Sequence, residues 1–157
     1  NTGEMIVGNL GSSEIFDYTV LGDEVNIAAR LEPLNKDFDS GIAVSASTRD
    51  EAEAHRPGKF VFRRLARVAL RGKTAPLEAW ELVGSKDTVT KERREAIGLY
   101  DQGLRLFLER RFAEARQWFE QAVARYPPDG PSRRYVELCA ACEKVPPPPD
   151  WQGVHVQ

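Results

Sequence analysis

Asn26 and Arg30 lie four residues apart in the run Asp23-Glu-Val-Asn-Ile-Ala-Ala-Arg-Leu. On a helix that spacing sets an amide and a guanidinium one turn above each other on a shared face, a pair that can hold a ligand. Two polar side chains on the solvated side of a capped amphipathic helix need no ligand at all. The spacing alone does not choose between these readings.

Other residues with chemical potential are less well placed. Cys139-Ala-Ala-Cys142 is the only cysteine pair, and a structural zinc site needs about two further ligands. His55 and His155 show no paired spacing that would supply them. A thioredoxin-like role requires a strand before the motif and a helix opening at it, whereas these cysteines fall inside a helical pattern. They read as small residues on a packed helix face in a reducing compartment. His55 reads as a surface residue. Gly8-Asn-Leu-Gly-Ser-Ser lacks the Gly-Lys-Ser/Thr of a phosphate loop and sits between two strand patterns, so it is a turn. Arg63, Arg64, Arg67 and Arg71 alternate with Phe60, Phe62, Leu65 and Val68, which predicts a half-buried strand with a basic outer face.

The elements around these residues follow from periodicity. Glu4 to Leu10 reads as a buried strand, and Ile15 to Leu21 as the second arm of a hairpin. Gly22 breaks the strand, Asp23 occupies an N-cap position, and Ile27, Leu31 and Leu34 mark the buried stripe of a helix ending near Pro33 to Asn35. Lys36 to Gly41 is then loop. Ile42 to Ser45 reads as a short strand, and Ser47 or a neighbour caps a polar helix reaching about His55. Strands follow over Lys59 to Leu70 and Leu77 to Val83, the latter the final strand. Beyond the polar link Ser85 to Thr90 the pattern turns helical, with Ile97, Tyr100, Leu104 and Phe107 on one face and Ala115, Phe119, Ala122 and Val123 on the next. Pro131 to Glu143 forms a third helix. Pro146 to Pro149 ends regular structure, leaving a tail whose Trp151 and Val154 can dock on a surface.

Three blocks also resemble, in order and spacing, the class III nucleotide cyclases in their bacterial adenylate cyclase form. They are Gly3-Glu-Met-Ile-Val-Gly-Asn-Leu-Gly-Ser-Ser, Thr19-Val-Leu-Gly-Asp-Glu-Val-Asn-Ile-Ala-Ala-Arg-Leu-Glu and Leu70-Arg-Gly-Lys-Thr-Ala-Pro-Leu-Glu-Ala-Trp-Glu-Leu. The resemblance covers roughly residues 1 to 84. It implies that Asn26 and Arg30 steady ribose and triphosphate during cyclisation, and that Thr19 helps read the purine. Relatives that cyclise GTP commonly carry Cys at that position, whereas Thr goes with ATP. A basic residue at the position of Arg71 reaches towards the triphosphate in the family, where many relatives have Lys. The implied reaction converts ATP to cyclic AMP and pyrophosphate with Mg2+ or Mn2+, in a head-to-tail dimer that shares each site between protomers. The metal-binding aspartates and the purine-reading lysine of the family lie upstream of these blocks, and nothing in the chain replaces them. The alternative is a degenerate cyclase homology domain that binds nucleotide or a protein partner.

The 157 residues, 41% hydrophobic and 29% charged with a formal net charge of -2, fit a globular chain with no electrostatic case for nucleic acid. No apolar run approaches the ~20 residues of a membrane span and no signal-peptide pattern opens the chain. A cytoplasmic location follows as an expectation, with any membrane anchor of the parent protein upstream. A first residue of Asn, in mid-pattern, suggests a fragment of a longer protein. The expected fold is α+β: a partial cyclase domain with a mixed sheet over 1–84, a linker over 85–90, a helical region over 91–145 and a proline-rich tail over 146–157. Leu99, Gly103, Leu106, Ala115, Phe119, Ala122 and Pro127 resemble one tetratricopeptide repeat, with Leu99 and Leu106 where Trp and Tyr usually stand. Such a helical region would offer a surface for a protein partner.

Overall fold

The computed structural model describes residues 1–11, 16–69 and 76–155. Among these the chain is α+β, with a mixed sheet and helices. Strands β1 (Ile6–Gly11) and β2 (Phe16–Leu21) pair antiparallel as a separate two-stranded ladder. Helix α1 (Asp23–Phe38), strand β3 (Ala43–Ser45) and helix α2 (Ala46–His55) follow. The long strands β4 (Phe60–Val68) and β5 (Leu77–Ser85) lead to three helices, α3 (Lys91–Leu108), α4 (Phe112–Arg125) and α5 (Gly130–Lys144). A two-residue strand, β6 (Val154–His155), comes last. The second sheet runs β3-β5-β4-β6, antiparallel except for the parallel β4–β6 pair, so β5 is not the final strand.

Several local expectations need correction. The β1 segment is not buried: Ile6 is 74% and Val7 50% exposed although they point to opposite faces, because no layer among the described residues covers either face at these positions. Asp23 is the first helical residue of α1 and not its cap. Gly22 holds the cap position at φ 153°, in a region that disfavours any side chain, 3.3 Å from the Glu4 carbonyl for an added Cβ. Nor does α1 stop at Pro33. Leu34 and Phe38 lie beyond the proline and are fully buried, and that burial outweighs the lost backbone bond. The helix ends where Asp39 turns left-handed at φ 49° and Ser40 N–H donates to the Asn35 carbonyl at 2.9 Å. Ser45, one of the expected neighbours of Ser47, caps α2 by accepting from Thr48 N–H.

The largest correction falls on β4. Arg63 was expected on a basic outer face, yet its side chain is 1% exposed. Its Nε and Nη2 donate to Glu81 Oε2 at 2.9 and 2.5 Å, from the cross-strand partner position. Its Nη1 donates to both carboxylate oxygens of Asp129 at 2.7 and 2.8 Å, and the guanidinium lies over the Tyr100 ring. Burial alone would lower the Arg63 pKa, but Glu81 and Asp129 outweigh it and the net shift is upward. Asp129 precedes α5 and also accepts from Ser132 Oγ. At the rim Arg93 Nη2 lies 3.5 Å from Glu81 Oε1.

A second polar link joins the same elements. The β4 ladder is irregular between Arg64 and Ala66, and the carbonyls there turn to the helices. Tyr135 O–H donates to the Leu65 carbonyl at 2.7 Å, and Tyr100 O–H donates to the Arg64 carbonyl at 2.9 Å. Burial pushes both phenol pKa values up, so both remain donors. Around these bonds one apolar core takes Leu34 and Phe38 from α1, Leu65 and Val68 from β4, and Phe107 and Phe119 from α3 and α4. Gly130 opens α5 against the backbone of Asp39, where no side chain fits.

Removing the Asp129 carboxylate leaves Arg63 buried with one partner fewer. We expect Asp129→Ala to cost about 3–5 kcal/mol, the scale for breaking a buried ion pair. Denaturant unfolding followed by far-ultraviolet and tyrosine signals checks this. Unchanged stability would show that the network does not join helices to sheet.

Candidate functional site

The segment β2–Gly22–α1 carries Thr19, Asn26 and Arg30 on one continuous support. Thr19 is half-buried near the end of β2, opposite Gly8 of β1, so its neighbour across the ladder has no side chain. Leu31, Leu34 and Phe38 anchor α1 in the core, which turns Asn26 outward and leaves Arg30 half-buried at the edge of that stripe. The backbone supports the start of the helix: Asn26 N–H donates to the Gly22 carbonyl at 3.3 Å. The structure therefore puts Asn26 and Arg30 on one face of one helix, and Thr19 on the strand that feeds it. Arg71 lies outside the described residues.

The first residues of the chain pin this support. Asn1 Nδ2 donates to the Glu24 carbonyl at 2.8 Å and to Glu24 Oε2 at 2.7 Å, while Ser47 Oγ donates to the Thr2 carbonyl at 3.1 Å. Between the start of α1 and Leu77 lies an open cleft of about 590 Å3 whose walls include Glu4, Asp23, Glu24 and Ile27. Nothing in the hydrophobic pattern signalled this cleft, because polar contacts of the first residues create it. Among the described residues no cluster of three or more His, Cys, Asp or Glu side chains could hold a metal ion. The two acids at the start of α1 therefore do not fit a two-metal site by themselves.

The histidines and cysteines take other places. His55 is exposed at the end of α2. His155 packs its ring against Phe38, with centroids 5.2 Å apart, and its Nε2 lies 3.3 Å from Asp37 Oδ2. Cys139 is fully buried on α5 and Cys142 half-buried, both free thiols. Burial pushes the Cys139 thiol up to about 12 and raises Cys142 as well, the opposite of what a nucleophilic cysteine needs.

No family model matches the chain. The chain is similar to a terminal-differentiation specific adenylate cyclase of Dictyostelium discoideum, at 29% identity over 140 residues. That match takes in 88% of this chain, so it holds both Asn26 and Arg30 and extends into the helices beyond β5. Adenylate cyclase 1 of Rhizobium meliloti is 39% identical over 84 residues, 54% of the chain. The chain spans only 6% and 12% of the lengths of these two relatives. Among solved structures, the adenylyl cyclase CyaB from P. aeruginosa matches 55% of this chain and 41% of its own, at 28% identity and a TM-score of 0.42. Among the described residues no helix is long and apolar enough to cross a membrane.

The buried thiol gives a pH dependence of definite sign. An unfolded cysteine loses its proton near pH 8.5 to 9, while the folded Cys139 keeps its proton to about 12. Stability that is present below the unfolded value is lost as pH rises towards the folded one, at about 1.4 kcal/mol per pH unit for this group. We expect Cys139→Ala to flatten the fall in stability between pH 9 and 11, measured by urea unfolding. An equally steep fall in the variant would remove Cys139 as its source.

Proposed function

We propose that this chain, which carries a class III adenylate cyclase-like domain, forms one wall of the nucleotide site in an enzyme converting ATP to cyclic AMP and pyrophosphate. The observation that carries this is the shared face of Asn26 and Arg30 on α1, directly downstream of Thr19 on β2, inside a stretch similar to adenylate cyclases. The ribose 3′-hydroxyl gives up its proton to solvent as its oxygen attacks the α-phosphorus, a new phosphoester bond forms, and the bond from the α-phosphorus to the oxygen bridging it to the β-phosphorus breaks, so that pyrophosphate leaves. The Arg30 guanidinium donates to phosphate oxygens as charge builds on them, and its mooring beside the core keeps it placed beforehand. The Asn26 amide holds the ribose. The Thr19 hydroxyl accepts from the adenine amino group and can also turn to donate, and Arg71 adds a further positive charge at the triphosphate. A divalent ion, Mg2+ or Mn2+, would lower the cost of negative charge in this class of reaction, held by aspartates that in the resembled family lie upstream of the stretch matched here. Such an enzyme acts inside the cell as a dimer with each site shared between protomers, and its helical region offers a surface for a protein partner.

In the intact parent enzyme we expect Arg30→Ala to lower turnover by about two to three orders of magnitude, the scale for losing a preorganised charge-stabilising donor. Its effect on KM should be smaller. Near-normal turnover would remove Arg30 from the mechanism.

Thr19→Ser should keep the preference for ATP over GTP, and Thr19→Ala should weaken it, measured as the ratio of kcat/KM values. A full ratio in Thr19→Ala would exclude Thr19 as the purine reader.

A further inference from the structure

The tail after α5 folds back across the molecule and grips it chiefly through backbone and aromatic contacts. The carbonyls of Pro147 and Pro148 accept from the Arg110 guanidinium at 2.5 and 2.6 Å. Arg110 itself sits at a positive φ of 65° in the α3–α4 turn. The Trp151 ring meets Phe107 and Phe112 edge-on, with centroids 5.3 and 5.9 Å apart. The Gln152 carbonyl accepts from Arg67 Nη1 at 3.4 Å, and Val154 and His155 pair with Arg67 and Val68 on the edge of β4.

Two observations distinguish this tail from core structure. Its ladder with β4 is two residues long, and a cavity of about 270 Å3 remains between it and Phe107, Tyr135 and Leu138. The seat, by contrast, is built from residues that already belong to the core: Phe107, Phe112 and Tyr135 pack on one another, with centroids 5.0 to 5.4 Å apart for the pairs Phe107–Tyr135 and Phe107–Phe112. A preformed aromatic seat, an arginine reading proline carbonyls and a strand edge that the tail covers with only two paired residues are the parts of a peptide-binding groove. Proline-led segments arrive already extended, and strand edges supply backbone pairing.

We propose that the groove between α3, α5 and the edge of β4 is a docking site for an extended, proline-led peptide bearing a tryptophan, and that this chain's own tail is its resident, displaceable occupant. The occupant's chemistry is read from the tail itself. Pro147 and Pro148 present carbonyls to Arg110, a tryptophan follows four and three residues after them, and a residue without a side chain stands at the position of Gly153. There φ is +73° and an added side chain runs into Leu108. Beyond it, a β-branched residue and a histidine pair with β4.

The test uses the full chain and a fluorescein-labelled peptide of residues 146–155. Gly153→Val makes the tail's own seat untenable while leaving the groove residues intact. We expect the variant to keep its helical circular dichroism, to lose tail residues to protease at least tenfold faster, and to bind the labelled peptide at least tenfold more tightly than the unaltered chain. Replacing the peptide's tryptophan by alanine should abolish binding at the same concentrations. Equal binding to both chains, or none to the variant, would overturn the proposal. So would collapse of the helical signal, which would make the tail part of the core. If Gly153→Val leaves the tail protected, Trp151→Ala is the second variant, and a tail protected in both refutes displacement.

Discussion

A guanidinium with almost no access to water must be satisfied from every side, and Arg63 is satisfied only where sheet and helices meet. Glu81 reaches it from the neighbouring strand and Asp129 from the start of α5. Both carboxylates are as deeply buried as the arginine itself. Such a group adds little net stability when complete, but any incomplete version of it is costly. The helices therefore cannot lift from the sheet by degrees. The tyrosines impose the same condition on the backbone, since the β4 carbonyls they satisfy would otherwise be buried without donors.

This constraint also fixes the helix of the candidate site. Phe38, near the end of α1, packs on Tyr135 of α5, with centroids 5.7 Å apart. Asp39 follows, paired with Arg133 at 2.7 Å and pressed against Gly130. The far end of α1 is thus held by the same helix whose first turn Asp129 introduces. At the near end, Gly22 and the Asn1–Glu24 bonds set where the helix begins. Asn26 and Arg30 stand between two fixed ends, which suits side chains whose value lies in being placed beforehand.

Much of this was legible in the residues. The 3.6-residue recurrence of Ile97, Tyr100, Leu104 and Phe107, and of Ala115, Phe119 and Ala122, located α3 and α4 because one buried stripe dominates each. The shared face of Asn26 and Arg30 followed from the same period. Arg63 was illegible for a physical reason: an arginine in an alternating strand looks like its exposed neighbours, and its second partner lies 66 residues away. The run past Pro33 was missed because local propensity was weighed without the burial of Leu34 and Phe38. The apolar β1 run suggested a buried strand, but hydrophobicity cannot say whether a second layer is there to cover it. The strand β6 is too short for any period to register.

The separation of Arg63, Glu81 and Asp129 along the chain has a consequence for descent. The first two are 18 positions apart and the first and third 66. Lysine cannot replace the arginine, because one ammonium cannot reproduce the planar fork that serves two carboxylates at once. A lone change at any of the three positions leaves a buried charge short of a partner, so most single steps away from this arrangement pass through a poorly folded intermediate. Lineages that keep the sheet with these helices should therefore hold the three positions unchanged, or exchange them together for an apolar set. A recombination event that brings in foreign helices without the acid at position 129 should be lost for the same reason.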